Sequence, residues 1–178
     1  MIKEAIKKLV AGNDLTFDEA AQVMDEMFSG TATQSQMAAY LTALRIKGET
    51  IDEITASAQV MREKALHIKP NRDVLDIVGT GGDGTGTFNI STTAAFIIAA
   101  AGIPVAKHGN RSMSSKSGSA DCLEQLGINI NITPEKSEEV LNKAGICFMF
   151  AQGYHSSMKY VGPVRKEIGI RNIFNVLG

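Results

Sequence analysis

Residues 74–92, VLDIVGTGGDGTGTFNIST, form the stretch that decides the fold. The first five residues are typical of an apolar strand, residues 79–86 contain five glycines, and the apolar run over residues 92–101 is typical of a helix. Glycine has no side chain to hold a ligand away from the backbone, and the first amides of a helix point outward without partners. This order of strand, glycine-rich turn and helix therefore predicts a loop that binds phosphate.

A second loop, residues 107–119 with the sequence KHGNRSMSSKSGS, supplies positive charge. Lys107, Arg111 and Lys116 lie in this cationic loop, and no carboxylate occurs between residues 104 and 119. The loop follows a short predicted strand, and open α/β sheets bind ligands at the edge where the carboxyl ends of adjacent strands meet. We therefore expect the glycine-rich loop, residues 79–86, and the cationic loop to bind one anionic ligand together.

Residues after the glycine pattern exclude two common nucleotide sites. Residues 79–84, GTGGDG, match the dinucleotide pattern G-x-G-x-x-G, but the next strand ends in Lys107 and His108, where an acidic residue should hold the ribose. The Walker pattern also fails, because Thr85 stands where its lysine should be. A general phosphate or pyrophosphate site remains.

Composition limits the class of protein. The chain has 178 residues, of which 44% are hydrophobic, and a net charge of -1, which indicates a globular protein without a general attraction for nucleic acid. Cys122 and Cys147 lack the spacing of a metal site or a disulfide framework, so we expect free thiols in a reducing compartment. The longest apolar run, residues 94–101, is too short to span a bilayer. We predict a cytoplasmic protein that binds neither nucleic acid nor membranes.

Residues 1–66 predict a small helical domain. Three capping boxes, in which a threonine is followed three residues later by glutamate or glutamine, mark successive helix starts. They pair Thr16 with Glu19, Thr33 with Gln36, and Thr50 with Glu53. Apolar positions, many of them methionines, recur behind these caps at helical spacing, which suits either a packed core or a surface for a homodimer.

The rest of the chain predicts an α/β fold class: the helical domain is followed by the first part of a mainly parallel α/β domain over residues 74–155. The expected strands are 74–78, 104–106, 128–132 and 146–150, and the expected helices are 92–101, 120–126 and 134–144. Their alternation favours parallel pairing. Residues 156–178 predict a helical segment that packs back on the helical domain. Because the sheet edges have no evident cover, we expect a chain that lacks its C-terminal part, with a complete small domain as the alternative.

Three stretches, residues 79–83, 88–92 and 107–121, closely resemble the anthranilate phosphoribosyltransferase family. The likeness covers the whole chain but corresponds to about the first half of a family member. It implies transfer of 5-phosphoribose from 5-phosphoribosyl 1-pyrophosphate (PRPP) to the amine of anthranilate in tryptophan biosynthesis, with Mg²⁺ as cofactor and pyrophosphate as the second product. It also implies a homodimer formed through the helical domain.

The resemblance also assigns site residues. Those implied to bind PRPP are Gly79, Gly82, Asp83, Thr87, Asn89, Ile90, Ser91, Thr92, Lys107, His108, Gly109, Asn110, Arg111, Ser112, Met113, Ser114, Ser115 and Ser119. Anthranilate would meet Gly79, Asn110 and Arg165, and Mg²⁺ would meet Ser91. In the family a second metal-binding element, an adjacent Asp-Glu pair, lies beyond the part that this chain matches. The resemblance therefore implies little or no turnover by this chain alone.

The chemistry of this transfer explains the residue types. Breaking the bond between ribose and pyrophosphate places negative charge on the leaving group, which fixed cations and amides stabilise. The uncharged aromatic amine attacks without a strong base, so His108 is either a proton acceptor or a simple hydrogen-bond donor. Arg165 either holds the anthranilate carboxylate with its planar guanidinium or is solvated. Asp83 either ligates metal or bonds its own backbone in the turn.

Two other functions fit parts of the sequence. A pyrimidine nucleoside phosphorylase resembles this family in fold and in the KHGNR segment, residues 107–111, but binds inorganic phosphate and a nucleoside. A non-catalytic dimerising or ligand-binding module would suit a chain that matches half of a family member. A nucleic-acid binder is disfavoured, because no aromatic residues accompany the cations of the loop.

Overall fold

The computed structural model describes residues 1–79, 87–112 and 117–177. The chain divides into a helical unit, Met1–Ala65 with His155–Gly178, and an α/β unit, Leu66–Tyr154. The described helices are α1 (Ile2–Val10), α2 (Phe17–Phe28), α3 (Gln34–Lys47), α4 (Ile51–Lys64), α5 (Ile90–Ala100), α6 (Ser119–Gln125), α7 (Pro134–Ala144), α8 (Ala151–Tyr154), α9 (Met158–Ile168) and α10 (Phe174–Leu177), and the strands are β1 (Val105–Gly109) and β2 (Ile146–Phe150). Within the described ranges, no helix combines the length and apolar character needed to cross a membrane.

The three predicted capping boxes are confirmed. In the first, Oγ1 of Thr16 accepts a hydrogen bond from the amide of Glu19 at 3.3 Å, and the Glu19 carboxylate accepts one from the amide of Thr16 at 2.9 Å. The same pair of bonds joins Thr33 with Gln36 and Thr50 with Glu53. Each box satisfies amides that would otherwise lack partners at the start of a helix, so local chemistry fixes where α2, α3 and α4 begin.

The methionines of the helical unit lie in its core. Met24 and Met27 are 0% exposed and Met37 is 3% exposed. Val161 and Val164 of α9 belong to the same apolar cluster. Of the two uses that the sequence allowed for these methionine faces, the structure shows core packing.

A buried carboxylate connects the loop before α2 to α4. Glu53 is 0% exposed, and its oxygens accept hydrogen bonds from the amides of Leu15 at 2.9 Å and Thr50 at 2.8 Å and from the ammonium of Lys47 at 3.0 Å. Lys47 also pairs with Asp14 at 2.6 Å. A charged group so far from water is stable only when its oxygens have such partners. Glu53 therefore holds a tertiary contact as well as capping α4.

The strands of the α/β unit run parallel, as predicted. β1 pairs with β2, with Val105 opposite Ile146. On the other edge of β1, Leu75 forms one parallel bridge, in which its amide donates to the carbonyl of Pro104 and its carbonyl accepts from the amide of Ala106, both at 2.9 Å. The segment after Leu75 and the end of β1 therefore leave the sheet on the same side.

One predicted strand is wrong, and another is shorter than expected. Residues 128–132 have no strand structure, because Oδ1 of Asn129 accepts a hydrogen bond from the amide of Asn131 at 3.0 Å, a local bond that competes with strand pairing. The apolar alternation of this segment still indicates a buried side chain, since Ile130 is 1% exposed. Of the predicted strand 74–78, only Leu75 pairs with β1.

Beyond its first turn α5 is apolar on all sides but mostly uncovered. It has no charged residue, and only Thr92 and Ala95 are buried. Ile90 is 54% exposed and Ile97 is 65% exposed. A helix of this composition is typical of the interior of a larger domain. The described part of the α/β unit therefore leaves an apolar face of α5 in contact with solvent.

Candidate anion-binding site

The first turn of α5 carries unsatisfied polar groups. Asn89 is the N-cap of this helix, and its side chain makes no capping hydrogen bond. Thr92 is 3% exposed, and its hydroxyl oxygen has no hydrogen-bond partner among the described residues. A buried hydroxyl without a partner lowers the stability of the folded state unless a ligand supplies one. Together with the outward amides of a helix start, these groups can hold a phosphate oxygen.

Lys107 brings three segments together around one ammonium group. It is 3% exposed, and its Nζ donates to the carbonyl oxygen of Ile77 at 2.7 Å and to Oγ of Ser91 at 3.3 Å. The contact joins β1 to the first turn of α5 and to the end of the segment that follows Leu75. Burial lowers the pKa of Lys107. An ammonium group has three donors, so one further hydrogen bond is available to a ligand.

His108 packs away from the Lys107 ammonium. Its backbone amide donates to Oδ1 of Asp76 at 3.0 Å, and its ring centroid lies 6.2 Å from that of Tyr154. The hydroxyl of Tyr154 donates in turn to Oγ of Ser137 at 2.8 Å. Successive side chains of a strand point to opposite faces, which explains why His108 and Lys107 have different neighbours. Burial lowers the pKa of His108, which favours the neutral imidazole.

The cationic loop has a closed neck, which we define as residues 109–112 and 118–121. The carbonyl of Asn110 accepts hydrogen bonds from the amide of Ala120 and the hydroxyl of Ser119, both at 3.2 Å. A Cβ at Gly118 would collide with the backbone of residues 110–112. Glycine is therefore required at this position by the close approach of the two backbone segments.

Arg111 is engaged by two carboxylates of α6. Its Nη1 lies 2.9 Å from Oδ1 of Asp121, and its Nη2 lies 2.9 Å from Oε1 of Glu124. The second oxygen of Asp121 accepts hydrogen bonds from the amides of Ser112 at 3.1 Å and Gly118 at 2.8 Å. These contacts raise the pKa of Arg111, through Glu124 first and Asp121 second, and lower the pKa of both carboxyl groups.

Asp121 and Glu124 were not assigned a role from the sequence. Asp121 belongs to the stretch that carries the family resemblance, and it stands three residues after Gly118 at the start of a helix. An acidic residue at this spacing is typical of a capping interaction. That signal could have identified Asp121, whereas the pairing of Glu124 with Arg111 depends on the tertiary path of the loop.

The remaining predicted residues fall into two groups. Gly79 and Thr87 are exposed, and a Cβ at Gly79 would meet no atom within 4 Å, so the space beside it is open. The resemblance also assigns five residues to the PRPP site that lie outside the described residues, namely Gly82, Asp83, Met113, Ser114 and Ser115.

Arg165 lies in α9 of the helical unit, whereas the other described site residues belong to the α/β unit. Its guanidinium carbon lies 5.2 Å from the centroid of the Phe174 ring. Burial lowers the pKa of Arg165. In the described part of the chain no carboxylate contributes to this shift, so the guanidinium has no charged partner there.

The donors near α5 fit Mg²⁺ only as a small part of its ligand set. Across residues 1–79, 87–112 and 117–177, no three His, Cys, Asp or Glu side chains form a group that could hold a metal ion. Ser91 offers one neutral hydroxyl, which also accepts from Lys107. Mg²⁺ prefers six oxygen ligands and is often held by one or two protein groups, substrate phosphates and water. These residues therefore fit a metal that arrives with a phosphorylated ligand.

Comparison with known proteins matches both units. The family model for the helical bundle domain of the glycosyl transferase family matches residues 3–65, and the model for the α/β domain of that family matches residues 71–178. The chain belongs to the glycosyl transferase family. This result confirms the expected fold class of a helical domain followed by a parallel α/β region.

Relatives within the glycosyl transferase family are anthranilate phosphoribosyltransferases. That of Endomicrobium trichonymphae is 63% identical over 178 residues, which are 100% of this chain and 53% of the relative. The crystal structure from Thermus thermophilus matches with a TM-score of 0.90 at 46% identity, over 98% of this chain and 53% of that one. The Saccharomyces cerevisiae enzyme in complex with PRPP and Mg matches with a TM-score of 0.91 at 28% identity, over 99% of this chain and 53% of that one.

The resemblance found in the sequence is thus confirmed, and the chain spans about half the length of the relatives that it matches.

Proposed function

We propose that this chain provides the PRPP site of an anthranilate phosphoribosyltransferase, which transfers 5-phosphoribose to anthranilate and releases pyrophosphate. The observation that carries the proposal is the contact of the buried Lys107 ammonium with the Ser91 hydroxyl in the first turn of α5, the same turn that carries the unpartnered Thr92 hydroxyl. The relatives of that name and the PRPP complex of the yeast enzyme support it.

A diphosphate suits this group better than a single neutral ligand. As the bond to pyrophosphate breaks, positive charge develops at the anomeric carbon and negative charge on the leaving group. Lys107 supplies a buried cation, and the first turn of α5 supplies outward amides. Because these groups are fixed by the fold, they stabilise the developing charge without reorganising. No covalent nucleophile is required.

The proposed PRPP site includes the residues that the resemblance assigned. In the described ranges these are Gly79, Thr87, Asn89, Ile90, Ser91, Thr92, Lys107, His108, Gly109, Asn110, Ser112 and Ser119, and outside them Gly82, Asp83, Met113, Ser114 and Ser115. The resemblance also assigned Arg111, whose guanidinium pairs with carboxylates of α6. Mg²⁺, when bound with PRPP, would neutralise part of the pyrophosphate charge. Ser91 is the described residue that would hold it.

Anthranilate is proposed to meet Gly79, Asn110 and Arg165. The planar guanidinium of Arg165 matches a carboxylate in two parallel hydrogen bonds. The amine of anthranilate is uncharged and attacks the anomeric carbon directly as pyrophosphate leaves. The amine itself then loses only a proton. Burial favours the neutral form of His108, which is able to accept a proton, but its ring packs against Tyr154, which favours a packing role.

A homodimer through the helical unit is also proposed. The methionines that first suggested it are buried within the unit, so the support now comes from exposed aliphatic side chains. Ile46 and Ile51 are each 82% exposed, and Val10 is 75% exposed. Ile46 and Ile51 flank the short connection between α3 and α4, and neighbouring exposed aliphatic side chains favour a contact surface.

Isothermal titration of the chain with PRPP in the presence of MgCl₂ tests the proposed site. We expect magnesium-dependent binding that Thr92→Val weakens about ten-fold, because valine has the same shape but no hydroxyl. Thr93→Val is the matched control, since Thr93 is exposed and its hydroxyl bonds the carbonyl of Asn89 at 3.1 Å. That variant should bind PRPP within about two-fold of the unchanged chain.

Two results would contradict the proposal. One is the absence of PRPP binding by the unchanged chain. The other is binding of inorganic phosphate with uridine or thymidine in place of PRPP, which would favour a nucleoside phosphorylase. Because the chain spans about half the length of its relatives, we expect little or no turnover from it alone.

A further inference from the structure

One carboxylate closes the neck of the cationic loop. The two oxygens of Asp121 receive the guanidinium of Arg111 and the amides of Ser112 and Gly118, which lie on opposite sides of the neck. Glu124 accepts hydrogen bonds from both terminal nitrogens of the same guanidinium. A single cluster of three charged side chains therefore fixes both backbone segments of the neck.

We propose that Arg111, Asp121 and Glu124 are positioning residues, which hold the loop neck in the shape that binds the diphosphate, and that Arg111 does not itself bind phosphate. The proposal rests on the proposed function for the identity of the ligand. It replaces the direct contact with PRPP that the sequence predicted for Arg111.

The charges in the cluster support this role. Two carboxylates face one guanidinium, so the cluster carries a net negative charge, and both terminal nitrogens of the guanidinium already donate to carboxylates. If Arg111 turned toward a diphosphate, it would break these charge-assisted bonds and leave two carboxylates close to the anion. The Lys107 ammonium, whose hydrogen-bond partners are a carbonyl and a hydroxyl, meets no such conflict.

Groups of the neck that this cluster fixes also set the direction of Asn110. Oδ1 of Asn110 accepts a hydrogen bond from the amide of Arg111 at 2.8 Å, and the Asn110 carbonyl is held by Ser119 and Ala120. The two N–H groups of the side-chain amide remain as donors for an anionic ligand. Movement of Arg111 or Gly118 would therefore turn Asn110, although neither of them touches the ligand.

The direction in which one substitution changes the affinity for PRPP tests the proposal. Asp121→Asn removes a negative charge near the proposed diphosphate, so a purely electrostatic effect would tighten PRPP binding. Loss of positioning predicts the opposite, and we expect the Kd for PRPP to rise about five-fold or more. Glu135→Gln on α7 removes an equal charge outside the neck and should leave the Kd within about two-fold. Unchanged or tighter binding by Asp121→Asn would overturn the proposal.

A second pair of variants separates charge from geometry. Arg111→Lys keeps the positive charge but cannot bond two carboxylates with a planar fork. We expect it to weaken PRPP binding nearly as much as Arg111→Gln does. Retention of most of the affinity by the lysine variant would show direct charge contact with phosphate and would reject the positioning role.

Amide hydrogen exchange gives a measurement that does not depend on PRPP. In Asp121→Asn we expect faster exchange at Ser112 and Gly118, whereas the amide of Ala106, which bonds Leu75, should keep its protection. If the unchanged chain does not bind PRPP, the proposed function fails while this test still applies. Unchanged exchange at both amides would then refute the closed neck.

Discussion

Nη1 of Arg111 lies 2.9 Å from Oδ1 of Asp121, and the other oxygen of that carboxylate accepts from backbone amides on both sides of the loop neck. The positive charges of the cationic loop are therefore not equivalent. Arg111 is neutralised by acidic residues of α6, whereas Lys107 donates to a carbonyl and a hydroxyl. Of these two side chains, Lys107 is the cation that an anionic ligand would meet.

The loop neck should loosen in acid. The pKa of Asp121 is lowered mainly by the amides of Gly118 and Ser112, and that of Glu124 mainly by Arg111. A carboxyl group with a lowered pKa in the folded state stabilises that state above its unfolded pKa, about 4, and loses this effect as the pH falls through the folded value. We expect the protection factor of the Gly118 amide to fall below about pH 4. In Asp121→Asn this protection factor should already be low at pH 7 and should change little as the pH falls.

Lys107→Met should remove most of the affinity for PRPP. Methionine fills the same buried space but has no ammonium to meet the diphosphate, so we expect a loss of more than about ten-fold. Lys143→Met, at an exposed position of α7, is the control and should have no effect on titration with PRPP. Equal losses for the two lysine variants would indicate attraction by net charge and not a defined site.

Arg165→Ala should weaken binding of anthranilate and spare PRPP. Loss of a two-pronged contact with a carboxylate corresponds to about 2 kcal/mol of binding free energy. Titration with anthranilate in the presence of PRPP and MgCl₂ measures it, and Arg171→Ala at an exposed position is the matched control. An equal loss for both substrates would show that Arg165 acts through its packing on Phe174.

Glu53→Gln should destabilise the helical unit. The substitution leaves the buried Lys47 with Asp14 as its remaining charged partner and replaces one acceptor oxygen by a donor facing backbone amides. Breaking such a buried pair lowers the free energy of unfolding by about 3 kcal/mol, which urea denaturation would measure. Glu63→Gln, on the exposed face of the same helix, should change it by less than about 0.5 kcal/mol.

The proposed homodimer predicts a change of mass on substitution. Light scattering of the unchanged chain at micromolar concentration should give the mass of two chains, and Ile46→Asp should shift the equilibrium toward one. Ile97→Asp, at an exposed position of α5 in the other unit, should leave the dimer intact. A monomer mass for the unchanged chain would rule out the dimer.

Local interactions were the part of the fold that the sequence predicted well. The boxes at Thr16, Thr33 and Thr50 depend on residues three positions apart, so their residue types suffice to place the helix starts. Parallel pairing followed from the alternation of strands and helices. The strand predicted over residues 128–132 failed because an asparagine side chain bonded its own backbone, and alternation alone does not reveal that competition.

By itself the sequence predicted the class of ligand, since the glycines of residues 79–86 and the cations of residues 107–119 are properties of residue type and order. Only the tertiary structure decided which cation is available, because Arg111 and Lys107 look alike in the sequence and differ in what the fold places beside them. The physical reason is that an ionic interaction depends on the distance between charges, and the chain path around the loop neck, not the spacing along the sequence, sets that distance.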